Sequence, residues 1–264
     1  MSIVDKNFVY DKITNNQVYK KAPSGEIIID YERVKYAWAH GATRYHLGDG
    51  LLVYSIIQFM RAKNCVCLGS GGGFIPRIMT QARLDLYDQE IFEGNSDFNW
   101  GDIGATFIVD AANGVGGNVD WLEEDSFFRN IFHPRVINDT TENAFYNFFV
   151  KEDIKIDYLH IDAGHSFEDV KRDFELYKNI LSDYGVISIH DTDRSYEKSY
   201  IVSKDIKDQN HHDEFASGPA DLVDLLKNDP NFEVFNFFNN GALKTKPSST
   251  GFTLVKKSFP NVSL

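Results

Sequence analysis

Ile156-Asp157-Tyr158-Leu159-His160-Ile161 is a short apolar run that ends on Asp162-Ala163-Gly164-His165, and Val186-Ile187-Ser188-Ile189 is a second run that ends on His190-Asp191. Between them Phe167, Val170, Phe174, Tyr177 and the pair Ile180-Leu181 recur at helical spacing. Two short buried runs joined by an amphipathic helix read as a parallel strand pair with a helical crossover. Gly185 reads as the cap of the turn into the second strand.

The same alternation extends outward. Cys65-Val66-Cys67-Leu68 is a buried strand, followed by Gly69-Ser70-Gly71-Gly72-Gly73 and a helix from Ile75 to Arg83. Ala105 to Val109 is a strand ending at Asp110, and Arg135-Val136-Ile137 is another, entered through Pro134. Downstream come a helix starting near Pro219 and two strands, Phe232 to Phe238 and Gly251 to Val255, with Asn239-Asn240-Gly241 as a turn. This order predicts an α/β fold with a doubly wound, mostly parallel sheet covered on both faces. Residues 1–264 are read as a single domain. Residues 1–60 form an N-terminal arm and helical cap, and the polar stretch 192–218 is a substrate lid.

Composition narrows the function. The chain has 264 residues, 42% of them hydrophobic, and a formal net charge of -12. That field repels nucleic acid, and the densest basic tracts are only the pairs Lys20-Lys21 and Lys256-Lys257. No apolar stretch approaches the roughly 20 residues that span a bilayer. A soluble, cytoplasmic protein is expected, with no nucleic-acid or membrane partner. Cys65 and Cys67 flank one residue, so a disulfide between them would be strained; they read as small core residues on one face of a strand.

Three places carry chemistry. The glycine loop, at Gly69, Ser70, Gly71 and Gly73, lets the backbone approach a ligand and presents helix N–H groups to a carboxylate or phosphate. NAD, FAD and nucleotide sites use such loops too, and a tight turn without a ligand is the plain alternative; no Lys-Ser or Lys-Thr follows, which excludes a Walker A loop. Asp110, at the end of the next strand, can accept ribose hydroxyls or can simply cap a surface turn. It lies further along than the roughly 20 residues usual for that role, a gap that the Asp-, Asn- and Gly-rich segment Asp85 to Gly104 explains as an insertion. Third, Asp162, His165, His190 and Asp191 lie past the carboxyl ends of neighbouring strands, where ligands of open parallel sheets sit. The two aspartates suit a hard cation such as Mg²⁺, and His165 suits proton transfer near neutral pH. The plain alternatives are a helix start for His165 and a local backbone bond for Asp191. Tyr45-His46 and Asp49, just before the helix from Leu51 to Met60, could reach the crevice. His211-His212, Trp100 and Trp121 read as exposed or core residues.

The stretch Tyr158 to Val170, followed by Gly185 to Thr192, resembles the methyltransferase family that reads Ile-Asp-Gly-x-His-Ser and His-Asp-Thr. It is also similar to metal-dependent macrolide-sugar O-methyltransferases, with Asp-x-x-His after one strand and an acidic pair after the next. The resemblance covers residues 60 to 195 best. It implies the class I methyltransferase fold, a Rossmann-like doubly wound sheet, mostly parallel with a terminal antiparallel strand. It also implies S-adenosylmethionine as cofactor on Gly69, Ser70, Gly71, Gly73 and Asp110, with Asp139 against the adenine. Asp162 and Asp191, with His190, would hold Mg²⁺ or another divalent cation, and His165, beside Asp162, would be the base. Cys67 and His190 depart from the pattern, since both stand where many relatives carry an acid.

The reading that follows is an O-methyltransferase of a small-molecule acceptor, a sugar hydroxyl on a nucleotide-linked sugar, glycan precursor or glycosylated metabolite, assisted by a divalent metal. N-methylation of a small amine and a non-catalytic S-adenosylmethionine-binding module are the competitors. A dinucleotide oxidoreductase would leave the Asp162 to His165 motif without a role. A homo-oligomer is left open.

Overall fold

In the computed structural model of the chain, the described residues are 19–21, 27–29, 40–42, 47–71, 73–92, 104–111, 133–194, 218–237 and 249–258. The central strand is β6, Ile156–Ile161, whose near-continuous burial is what a strand covered on both faces requires. It pairs in parallel with β3, Cys65–Leu68, on one side and with β7, Leu181–His190, on the other. Beyond β3 lie β4, Thr106–Val109, and β5, Arg135–Ile137, both parallel. Beyond β7 lie β9, Phe252–Lys257, and at the edge β8, Phe232–Phe237. The order is β5-β4-β3-β6-β7-β9-β8, and β9 runs antiparallel to both of its neighbours. The expected fold, with one reversed strand near the end of the sheet, is the observed one. Because the chain winds outward from β3 to β5 and returns to β6, the switch point lies between β3 and β6.

Alternation along β3 separates two cores. Cys65 and Cys67 face one side, where they join Tyr158 and Phe252 under helices α1, Asp49–Met60, and α2, Phe74–Phe92. Both cysteines are free and fully buried, and burial pushes the Cys65 thiol up to about 12. Val66 and Leu68 face the other side with Phe107, Leu159 and Ile187. That side is covered by helix α3, Thr141–Ala144, which widens into a π-helical turn over Phe145–Val150, by α4, Phe167–Tyr177, and by α5, Gly218–Leu226. Phe149 packs edge-on between Phe107 and Tyr177, at ring distances of 5.4 and 5.5 Å. Phe174 meets Phe232 at 5.3 Å.

Several boundaries differ from the sequence expectation. Helix α2 runs on to Phe92, so the first part of the supposed Asp85 to Gly104 insertion is helical; Asp85 accepts hydrogen bonds there from Tyr54 and Gln81. Strand β7 starts at Leu181, and its register against β6 shifts between Leu181 and Val186. Gly185 therefore lies inside a bulged strand. A Cβ there would come 2.8 Å from the carbonyl oxygen of Ile156, so close backbone approach, rather than a helix cap, accounts for the glycine. Within the N-terminal arm, β1, Tyr19–Lys21, and β2, Ile27–Ile29, form an antiparallel pair. Most of the arm, most of the 192–218 lid, the 239–241 turn, Tyr45-His46, Trp100, Trp121 and His211-His212 lie outside the described residues.

Candidate active site

The loops at the carboxyl ends of β3, β4 and β6 are stitched to one another. Gly69 N–H donates to Val109 O, and Asp162 N–H donates to Leu68 O, each at 2.9 Å. Gly69 adopts φ 81°, and a Cβ on it would stand 2.1 Å from Asp162 O. Only glycine lets the two loops meet this closely. Gly71 and Gly73 also have positive φ, 47° and 82°. The Ser70 backbone N–H and hydroxyl both donate to Asp110 Oδ2, at 3.0 and 2.5 Å. The glycine loop and Asp110 are thus one hydrogen-bonded unit at the switch point, although Asp110 lies further along the chain than is usual for a ribose-binding acid. Cys67, standing where relatives carry an acid, donates its S–H to Gly69 O at 3.1 Å. Asp139 lies one strand further out. Its Oδ1 accepts from Thr140 N–H at 2.8 Å and Asn143 Nδ2 at 2.9 Å, while Thr140 caps α3. Gly72 lies outside the described residues.

On the β6 and β7 side the four predicted residues converge. His165 Nε2 lies 2.8 Å from Asp191 Oδ2 and 3.4 Å from Asp162 Oδ1. His190 Nδ1 lies 3.2 Å from Asp162 Oδ1 and 3.4 Å from Asp191 Oδ1. Asp191 holds a left-handed φ of 57°, uncommon for a non-glycine residue but one that aspartate tolerates. Ser166, not His165, caps α4: its hydroxyl accepts from Asp169 N–H at 3.1 Å. The helix-start alternative for His165 therefore falls away.

Other groups complete the cluster. His40 Nε2 and His160 Nε2 face Asp162 Oδ2 at 3.8 and 3.9 Å. The His40 and His190 rings lie 4.0 Å apart. Thr250 Oγ1 is 3.0 Å from His190 Nε2, and Ser249 donates to Asp49 Oδ2 at 2.5 Å. His160 could have been found from sequence, because two residues before Asp162 in a strand means the same face. Asp49 lay near enough to the crevice in sequence terms to be noticed. His40 had no signal: a single bridge to Ser249 brings it in.

Burial opposes charge throughout, and the outcome depends on what each group meets. Burial would raise Asp162 and Asp191, but the neighbouring His190, with hydrogen bonds from histidines, holds both carboxyls well below the usual range. Burial would lower His165, but hydrogen bonds to Asp162 and Asp191 raise it to about 10. His190 is likewise raised, against burial, by Asp191 and Asp162. His40 and His160 are lowered, chiefly by burial. Asp49 is pushed up to about 6 by burial.

Among the described residues, two sets place one ligand atom each within 4.8 Å of one another: Asp162, His165 and Asp191, and His40, Asp162 and His190. Both sets fit a divalent cation. Mg²⁺ prefers six oxygen ligands in near-ideal octahedral geometry, whereas carboxylate mixed with imidazole suits ions from Mn²⁺ to Zn²⁺. No helix of the described residues is long and apolar enough to cross a membrane.

Residues 66–192 match the family model described as a methyltransferase domain. No curated protein matches the chain. By fold the chain is similar to a structure assigned as an O-methyltransferase from Klebsiella pneumoniae, with TM-score 0.58, 13% identity, and 95% of this chain and 90% of that chain covered. It is also similar to the O-methyltransferase TomG of tomaymycin synthesis from Streptomyces achromogenes, solved with S-adenosylmethionine, at TM-score 0.54 and 12% identity over 97% and 100% of the two chains. A third similar structure is the Bacillus cereus O-methyltransferase with S-adenosylhomocysteine, at TM-score 0.55 and 14% identity over 86% and 87%. At these identities the structures speak for the fold, and the family model speaks for its kind. In sequence, residues 66–192 are thus similar to a methyltransferase domain, and in fold the chain is similar to these solved O-methyltransferase structures.

Proposed function

We propose that the chain transfers a methyl group from S-adenosylmethionine to a hydroxyl of a small polar acceptor, a sugar being the best fit, with help from a divalent cation. One observation carries this reading: the loop pair Gly69–Asp110 touches the Asp162 loop directly, so cofactor site and proton-handling site share one crevice. Hydroxyl methylation needs a lowered hydroxyl pKa and in-line positioning, and acidic residues beside an imidazole suit both. The glycine loop and α2 would hold the donor, and Asp110 its ribose. Asp139 would border the adenine if its local bonds to Thr140 and Asn143 open. A divalent ion on Asp162 and Asp191 would acidify an acceptor hydroxyl bound to it. His165 can take up the acceptor's proton once those carboxylates turn to the cation instead of to its ring. Residues 192–218 would close over the acceptor.

The test is ligand binding by thermal shift. S-adenosylhomocysteine at about 100 times its Kd should stabilise the chain by about 2.7 kcal/mol. Asp110→Ala should weaken that shift, and NAD should give none. Stabilisation by NAD without stabilisation by S-adenosylhomocysteine would overturn the assignment.

A further inference from the structure

Asp162 has two oxygens with different surroundings. Oδ1 faces the half-buried His165 at the mouth of the crevice, while Oδ2 faces His40 and His160, which are buried. On that inner side the contacts are too long for hydrogen bonds. Ligand atoms about 2.1 Å from a shared ion stand roughly 3–4 Å apart; 3.8 Å from His40 Nε2 to Asp162 Oδ2 falls in that range, as does 3.2 Å from His190 Nδ1 to Asp162 Oδ1, a hydrogen bond that an ion would replace. His160 Nε2, which faces Asp162 Oδ2, is buried and has no hydrogen-bond partner, which costs stability unless a ligand answers it.

In His190 and His160 the other ring nitrogen is held as in metal-binding histidines, by an outer partner that fixes the ring. His190 Nε2 meets Thr250 Oγ1 at 3.0 Å with Asp49 Oδ2 beyond it at 3.8 Å. His160 Nδ1 meets Ser188 Oγ at 2.8 Å. Each arrangement points the opposite nitrogen toward Asp162.

We propose that His40, Asp162 and His190, with His160 behind them, form a binding site for a first-row transition-metal ion between Mn²⁺ and Zn²⁺, on the buried side of Asp162. Two imidazoles and one carboxylate are a poor set for Mg²⁺ and a good one for these ions. The ion would clamp His40, from the segment before α1, to the ends of β6 and β7. The site shares Asp162 with the proposed reaction but does not depend on methyl transfer.

The test uses the full chain, stripped with EDTA and titrated with Co²⁺ by visible absorption and calorimetry. One equivalent should bind and give the bands of nitrogen- and oxygen-ligated Co²⁺, and excess Mg²⁺ should not displace it. His40→Ala should raise the Co²⁺ Kd more than about tenfold, and His165→Ala less than about threefold. If His40→Ala does not fold, His40→Gln, which keeps the bulk but ligates weakly, takes its place, with circular dichroism as the check. The proposal is wrong if the wild type binds no Co²⁺, if His40 variants bind it normally, or if only His165→Ala and Asp191→Asn lose it. Co²⁺ binding without S-adenosylhomocysteine binding would sink the methyltransferase reading and leave this site standing.

Discussion

His165 is placed by the three-residue step from Asp162 across the turn into α4, and its ring bridges Asp162 and Asp191. If it is the base for an acceptor hydroxyl, its loss should slow the chemical step by about 10²–10⁴-fold. His165→Ala and His165→Gln should still bind S-adenosylhomocysteine as the wild type does, since Gly69–Gly73 and Asp110 are held by other bonds. Near-wild-type turnover in both variants would place the base elsewhere. Of the predicted residues, Asp162, His165, His190 and Asp191 were legible because strand ends of a parallel sheet converge by topology alone. His40 was not, because its place depends on a pairing with Ser249 that leaves no periodic trace. Asp139 reached its predicted strand end, where its bonds go to its own turn.

At the scale of elements, β6 and the start of α4 could be read almost to the residue, since a continuous apolar run and a 3.6-residue stripe are the strongest local signals. Two misreadings have the same origin. Asp85 and Asp88 looked like loop polarity, yet both lie on helix α2, where Asp85 is held by Tyr54 and Gln81 beside the inner face set by Ile78, Met79 and Ala82. Ser182 to Gly185 looked like a turn, yet they form the bulged start of β7. Helix α4 is tied to the sheet by Val170, Phe174 and Tyr177, all fully buried. Phe174→Ala should therefore cost about 3–5 kcal/mol in urea unfolding. A loss below about 1 kcal/mol would mean that α4 is not part of this core.

At the scale of the whole molecule, pH dependence offers a check independent of the crevice. Asp173 lies in the core beneath α3, accepts from Thr141 Oγ1 at 2.6 Å, and is pushed up to about 6 by burial despite Thr141 and Arg172. The folded chain keeps this proton up to about pH 6, while the unfolded chain loses it near 3.8. Between those values the folded state binds more protons, so stability falls as pH rises. The span corresponds to on the order of 3 kcal/mol. Asp173→Asn, which does not titrate, should gain on the wild type by about that much between pH 4 and pH 7. Parallel stability profiles for the two proteins would show that Asp173 ionises normally. The strongly acidic balance, -12 overall, fits a small-molecule acceptor better than a polyanion.

The hydrogen bond from Ser249 to Asp49 joins residues 200 positions apart, and Thr250 beside it meets His190. Loops of that length close late in folding, because their entropy must be lost before any contact repays it. The strands β3, β4, β6 and β7 can pair through shorter crossovers, leaving β9 to dock against β7 afterwards. The contacts of Ser249 with Asp49 and of Thr250 with His190 should therefore be among the last of the histidine–aspartate cluster to form. A chain caught with its parallel strands formed and β9 undocked would carry the glycine loop and Asp110 but lack Thr250 beside His190 and Ser249 beside Asp49. The glycine loop and Asp110 would thus be in place before the rim of the histidine–aspartate cluster is closed.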